Sequence, residues 1–143
     1  MSIIYLLSLT LSILFFGLSA IHVYWALGGE WGIQASIPTN EKGQKLFEPG
    51  IFGSSIVAIG LMIFAVFVLI KAGILIINIP WIITQYGLGI IAGIFATRSI
   101  GDFKYVGFFK RVQSSDFGRM DTRFYSPLCL VIALLAILVE LFI

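Results

Sequence analysis

Four long apolar stretches limit what this chain can fold into. Ile3 to Leu27, Ile51 to Ile70 and Ile74 to Thr97 carry no charged side chain, and Tyr125 to Ile143 carries one only near its end. An α-helix rises about 1.5 Å per residue, so roughly 20 apolar residues cross a hydrocarbon core of about 30 Å. Each stretch is long enough. At 59% hydrophobic and 11% charged residues, the chain holds about half the charge of an ordinary soluble domain. The expected fold is all-α: a polytopic membrane protein, a four-transmembrane-helix bundle forming one membrane domain over residues 1–143. Interfacial loop one (28–50) and loop three (98–124) then lie on the same side.

The positive charges orient the bundle. The side holding loops one and three carries Lys42, Lys45, Arg98, Lys104, Lys110, Arg111, Arg119 and Arg123, whereas the other carries Lys71 and the terminal amine. The positive-inside rule places both loops in the cytoplasm and both termini outside. The start of the chain lacks a basic n-region, which argues against a cleaved signal even though Gly17 and Ser19 resemble a cleavage site.

Several chemistries are excluded by counting. One cysteine, Cys129, gives no redox pair, no intrachain disulfide and no cysteine zinc site. One histidine, His22, cannot build a site of several histidine ligands. No metal and no cofactor is expected. A net charge of +2 is too small to suggest nucleic acid; the basic groups lie beside a span, where lipid head groups are the nearer anions.

Within the first span, Ser8, Ser12, Phe15, Ser19, His22 and Ala26 fall on a stripe about 80° wide at 100° per residue. In lipid, hydroxyls and small residues turn toward neighbouring helices. His22 is expected on that packed face, with Tyr24 and Trp25 as interfacial anchors. Gly28, Gly29 and Gly32 then break the helix. In the second span, Ser54, Ala58, Leu61 and Ala65, with Gly53 and Gly60, offer close-packing faces. The third span either starts at Asn78 as N-cap with Pro80 in its first turn, or continues through a kink at Pro80. In either case Gln85 shares a face with Gly89, Ala92, Gly93 and Ala96 and is expected to point inward. Loop three interleaves aromatics with basic residues, an interfacial composition in which Lys104, Lys110 and Arg111 meet head groups. In the fourth span, Pro127 sits in a first turn, and an inward-turned Glu140 has Lys71 as its basic partner.

Three motifs carry a resemblance. H-V-Y-W-A-L-G-G-E-W-G at His22, G-D-F-K-Y-V-G-F-F-K-R at Gly101 and D-T-R-F-Y-S-P-L-C-L at Asp121 together resemble a family of small bacterial four-span membrane proteins catalogued as a domain of unknown function. The similarity covers essentially the whole chain. It implies a multi-pass protein of the bacterial inner (cytoplasmic) membrane and carries no catalytic role to any position.

The expected topology brings the three motifs to one membrane level. Read functionally, His22 exchanges protons with Glu30 or Asp102 orienting it, since an imidazole titrates near neutrality. Arg98 or Arg123 grips an anionic head group through its planar fork, and Trp25, Trp31 and Tyr125 complete the binding face. Read structurally, His22 bonds a neighbouring helix, while the arginines pair with Asp102, Glu30 or Asp121 to close the loops over the bundle. Three functions remain open. The first is binding, or acid–base conversion, of an amphiphilic small molecule or lipid. The second is a small proton-coupled transporter, disfavoured because no span has a carboxylate near its centre. The third is an accessory subunit that assembles other membrane proteins or copies of itself. Membrane lipids are the expected partners throughout.

Overall fold

The computed structural model describes residues 2–143. It is all-helical: α1 (Ile3–Ala26), a short α2 (Ile33–Ser36), α3 (Ile51–Lys71), α4 (Trp81–Ile100), α5 (Asp116–Met120), a π turn (Asp121–Tyr125) and α6 (Ser126–Phe142). Among the described residues there is no strand, only an isolated bridge between Thr39 and Lys45. Three helical stretches are long and apolar enough to cross a membrane: Ile3–Ala26, Ile51–Lys71 and the continuous run Asp116–Phe142. α4 is of comparable length, but Thr84, Gln85, Thr97 and Arg98 dilute its apolar surface.

The serine stripe of α1 faces α3. Ser12 Oγ donates to the Ala65 carbonyl at 3.0 Å, and Ser19 Oγ to the Ala58 carbonyl at 2.7 Å. Seven residues forward on one helix thus match seven residues back on the other, which makes the pair antiparallel. Ser54, Ala58, Leu61 and Ala65 supply the small-residue face opposite. Such bonds contribute roughly 0.6 kcal/mol each in a membrane bundle. Fully buried Phe15 closes the core, its ring 5.7 Å from that of Phe64 and 5.5 Å from that of Phe95.

α4 packs along α6 and begins later than either sequence alternative. Pro80 is its N-cap, and residues 74–80 are not helical. A proline disfavours helical backbone in the residue before it, so Ile79 cannot continue a helix from α3. The expected inward face of α4 is also corrected. Gln85, Gly89 and Gly93 lie on the outside and only Ala92 is buried. The glycine that admits a neighbour is Gly87, where a Cβ would stand 2.3 Å from the Phe67 ring.

The last span starts well before Tyr125, because helix runs from Asp116 through the π turn. Pro127 lacks an N–H and its ring crowds the carbonyl four residues back, a conflict that a widened turn relieves. The turn also re-aims side chains. Asp121 and Ser126 are both fully buried, although five residues at α-helical spacing would hold them roughly 140° apart.

Candidate functional site: a buried ion centre at the loop end of the bundle

The first motif uses its polar groups on itself. α1 ends with the Gly28 N–H donating to the Trp25 carbonyl at 3.1 Å and the Gly29 N–H to the Tyr24 carbonyl at 2.9 Å, the paired bonds of a Schellman cap. Gly28 takes φ 94°, and a Cβ on Gly29 would collide with the Tyr24 ring 2.3 Å away. Trp25 Nε1 donates to the Trp31 carbonyl at 2.8 Å, and the Trp31 N–H to the Tyr24 hydroxyl at 3.3 Å. Trp31 and Glu30 remain exposed. Half-buried His22 places Nδ1 2.8 Å from the Leu18 carbonyl, one turn back on its own helix, with its ring 5.0 Å from the Trp25 indole. A carbonyl only accepts, so Nδ1 carries the hydrogen. Among the described residues, neither Glu30 nor Asp102 makes a hydrogen bond or ion pair to it.

The second motif is a clasp. Its glycines lie against each other: a Cβ on Gly101 would meet the Val106 carbonyl oxygen at 1.8 Å, and one on Gly107 would meet that of Ile100 at 2.2 Å. Between them Asp102 Oδ1 accepts the N–H groups of Lys104, Tyr105 and Val106 at 2.7 to 2.9 Å. Burial pushes the Asp102 carboxyl up, but those backbone donors outweigh it and leave it below its ordinary 3.8. Sequence reasoning read Asp102 as a partner for His22; the structure places it as the internal tie of its own loop. The Phe108 N–H then bonds the Ser99 carbonyl at 2.8 Å, folding the loop back alongside the last turn of α4.

The clasp and the third motif meet at Asp121. This carboxylate is fully buried. Oδ1 accepts from Arg98 Nη2 at 2.9 Å; Oδ2 accepts from the Gly107 N–H at 2.8 Å and lies 3.2 Å from Lys110 Nζ. Lys110, also buried, donates further to the Gly107 carbonyl at 3.0 Å and to the Thr122 hydroxyl. One carboxylate and two cations leave a formal charge of +1. Lys110 therefore does not face the head groups, as loop composition alone suggests; it locks the clasp to the π turn. Of the two sequence readings of Arg98, one gave it an anionic head group and the other a carboxylate among Asp102, Glu30 and Asp121; in the structure Nη2 is paired with Asp121.

The other candidates lie around this centre. Tyr125 donates its hydroxyl to the Ala35 carbonyl at 3.2 Å, tying loop one to the start of α6. Arg123 is exposed, with its guanidinium 5.4 Å from the Phe124 ring. Two polar atoms near the centre, Arg98 Nη1 and Ser126 Oγ, are buried without a hydrogen-bond partner among the described residues. Beside the centre an open groove is lined by Ile94, Thr97, Arg98, Gly101, Asp102 and Val106. A second shallow depression lies between Ala20, Ile21, Tyr24 and Trp31. No group of histidine, cysteine and carboxylate side chains among the described residues could hold a metal ion. Sequence reasoning did not single out Lys110 and Asp121 as a centre. The available signal was that they stand near the end of the second motif and at the start of the third.

A bundle of long apolar helices pinned at one end by a buried ion centre defines an integral membrane protein. The model of a family described as "Protein of unknown function (DUF3995)" matches residues 15–136, and the chain belongs to that family. No curated protein and no solved structure matches it.

Proposed function

We propose that this is a four-span protein of the bacterial inner membrane that binds an anionic amphiphile, a lipid or lipid-like molecule, in the groove at the end of α4. The observation that carries the reading is the position of Arg98. Its guanidinium is committed to Asp121 through Nη2, while the side chain keeps about a third of its surface exposed and lines an open groove whose Ile94 and Val106 offer apolar wall. A planar guanidinium suits a phosphate or carboxylate head, and the surplus positive charge of the centre favours an anion. α4 as a fourth span is supported by its 20 residues, and loops one and three in the cytoplasm by the lysine and arginine distribution. Trp25, Trp31, Arg123 and Tyr125 are not among the residues that line this groove. Acid–base conversion is the extension of this reading: Nδ1 of His22 anchored on Leu18 leaves Nε2 to act as the base, with Glu30 recruited by the ligand.

The test is native mass spectrometry of the mildly solubilised protein, comparing wild type with Arg98→Lys, Ile94→Asn and His22→Ala. Wild type and His22→Ala are expected to retain a bound anionic lipid that the other two lose. Ile94→Asn leaves the ion centre intact, so it separates lost binding from lost folding. Equal retention by all four proteins, or loss confined to His22→Ala, rejects the Arg98 site.

One observation favours the assembly reading. Gln85, Gly89, Gly93 and Thr97 form an exposed stripe on α4 with open space above both glycines, a face that admits a helix of another membrane protein or a second copy. Cross-linking through Gly89→Cys with Cys129→Ser in native membranes tests it. The absence of any cross-linked species rejects it.

A further inference from the structure

Independently of the Arg98 groove, we infer that the tip of loop three is a preformed wedge that enters the head-group and acyl boundary of an anionic bilayer. The Phe108–Ser99 bond sets the returning segment of the loop level with the last turn of α4. From the neck formed by Gly101 and Gly107 the tip presents Phe103 and Phe109, 59% and 64% exposed, with ring centroids 6.3 Å apart. Phe103 holds φ 64°, the left-handed region, and is the only non-glycine to do so among the described residues. A bulky side chain is rarely found there and persists only where its surroundings impose it. Here hydrogen bonds on the C-terminal side of Phe103 impose it. Asp102 fixes the three N–H groups after Phe103, and the Lys104 carbonyl accepts from the N–H groups of both Arg111 and Val112.

A surface held this rigidly needs a partner that gains from rigidity. An apolar pair flanked by cations fits a membrane surface, because rings enter the acyl boundary while cations meet phosphate. Lys104 and Arg111 are both exposed beside the rings. The one carboxylate within the tip, Asp102, turns Oδ1 to three backbone donors and is outnumbered by Lys104 and Arg111, so the exposed tip is net positive toward an anionic surface. Charge complementarity thus selects anionic lipid over an acid-free protein face. With the wedge already ordered, insertion costs little conformational entropy.

The test uses the unmodified full-length chain in nanodiscs of phosphatidylcholine with phosphatidylglycerol. Amide relaxation is compared between a lipid spin-labelled near the glycerol end of its acyl chain and a water-soluble paramagnetic chelate. The amides of Phe103 and Phe109 should broaden with the lipid label and be spared by the chelate, while those of Gln113 and Ser114 in the same loop should show the reverse. Reversing the cations with Lys104→Glu and Arg111→Glu should shift Phe103 toward the chelate. Chelate broadening at Phe103 equal to that at Ser114 in the wild-type protein overturns the inference and leaves the face to a soluble partner. Ile94→Asn, which leaves the ion centre intact, is expected to leave this pattern unchanged, so the wedge and the groove can fail separately.

Discussion

The two ends of the bundle carry ion pairs built in opposite ways. At the end away from the loops, Lys71 Nζ lies 3.2 Å from Glu140 and donates to the Thr84 carbonyl at 2.6 Å. Both side chains keep some exposure, and the contact pins the end of α3 to α4 and α6. At the loop end, Asp121 has no exposure and is held by two cations and a backbone N–H. The first pair can lean on water or head groups when broken. The second cannot lean on water, because Lys110 is buried with it and keeps only the neutral Gly107 carbonyl and Thr122 hydroxyl. The difference teaches that charge count says little about an ion pair's structural weight; what the partners do when one leaves says most.

Asp121→Ala tests that contrast hardest. It strands one buried lysine and half-strands an arginine, and a loss of about 3–5 kcal/mol is expected from breaking a buried pair by removing one partner. Denaturant unfolding in mild detergent measures it, together with loss of protection at the Gly107 amide. Glu140→Gln at the other end should cost about 1 kcal/mol or less in the same assay, since Lys71 retains the Thr84 carbonyl. Equal costs for the two substitutions would erase the distinction between the ends. The smallest effect concerns acid. Asp102 is held below its ordinary value, so its contribution to the clasp is fully present above that value and is lost only as pH falls through the lowered one. A carboxyl-carbon NMR titration of Asp102 should therefore have its midpoint on the acid side of 3.8; a midpoint at or above 3.8 would mean that the three backbone bonds do not hold in solution.

What the sequence made legible depended on period. The stripe of Ser8, Ser12 and Ser19 repeats at helical spacing, and the structure buries all three. So does the Ser54 to Ala65 face. The pairing of Glu140 with Lys71 was readable because only one basic side chain was available at that end. Where a regular period breaks, the reading failed. Asp121 cannot be placed by counting at 100° per residue, because the π turn resets the count just upstream of Pro127. Gln85 was assigned inward from its glycine neighbours, yet the contact with α3 runs through Gly87, on another face. Asp102 next to glycine and lysine reads equally as an acid–base group or as a loop tie, and only the three convergent N–H groups decide it. Of the three motifs, the second and third share one carboxylate, while the first closes on itself.

That shared carboxylate has a consequence for how the protein is made. Arg98 and Lys110 both precede Asp121 in the chain, so they leave the ribosome before the charge that neutralises them. Until the π turn is synthesised, the α4 segment ends in two cations with no counter-ion at the site where they will be buried. The ion centre therefore cannot close before the π turn is made, and a chain truncated before Asp121 leaves both cations without their shared partner.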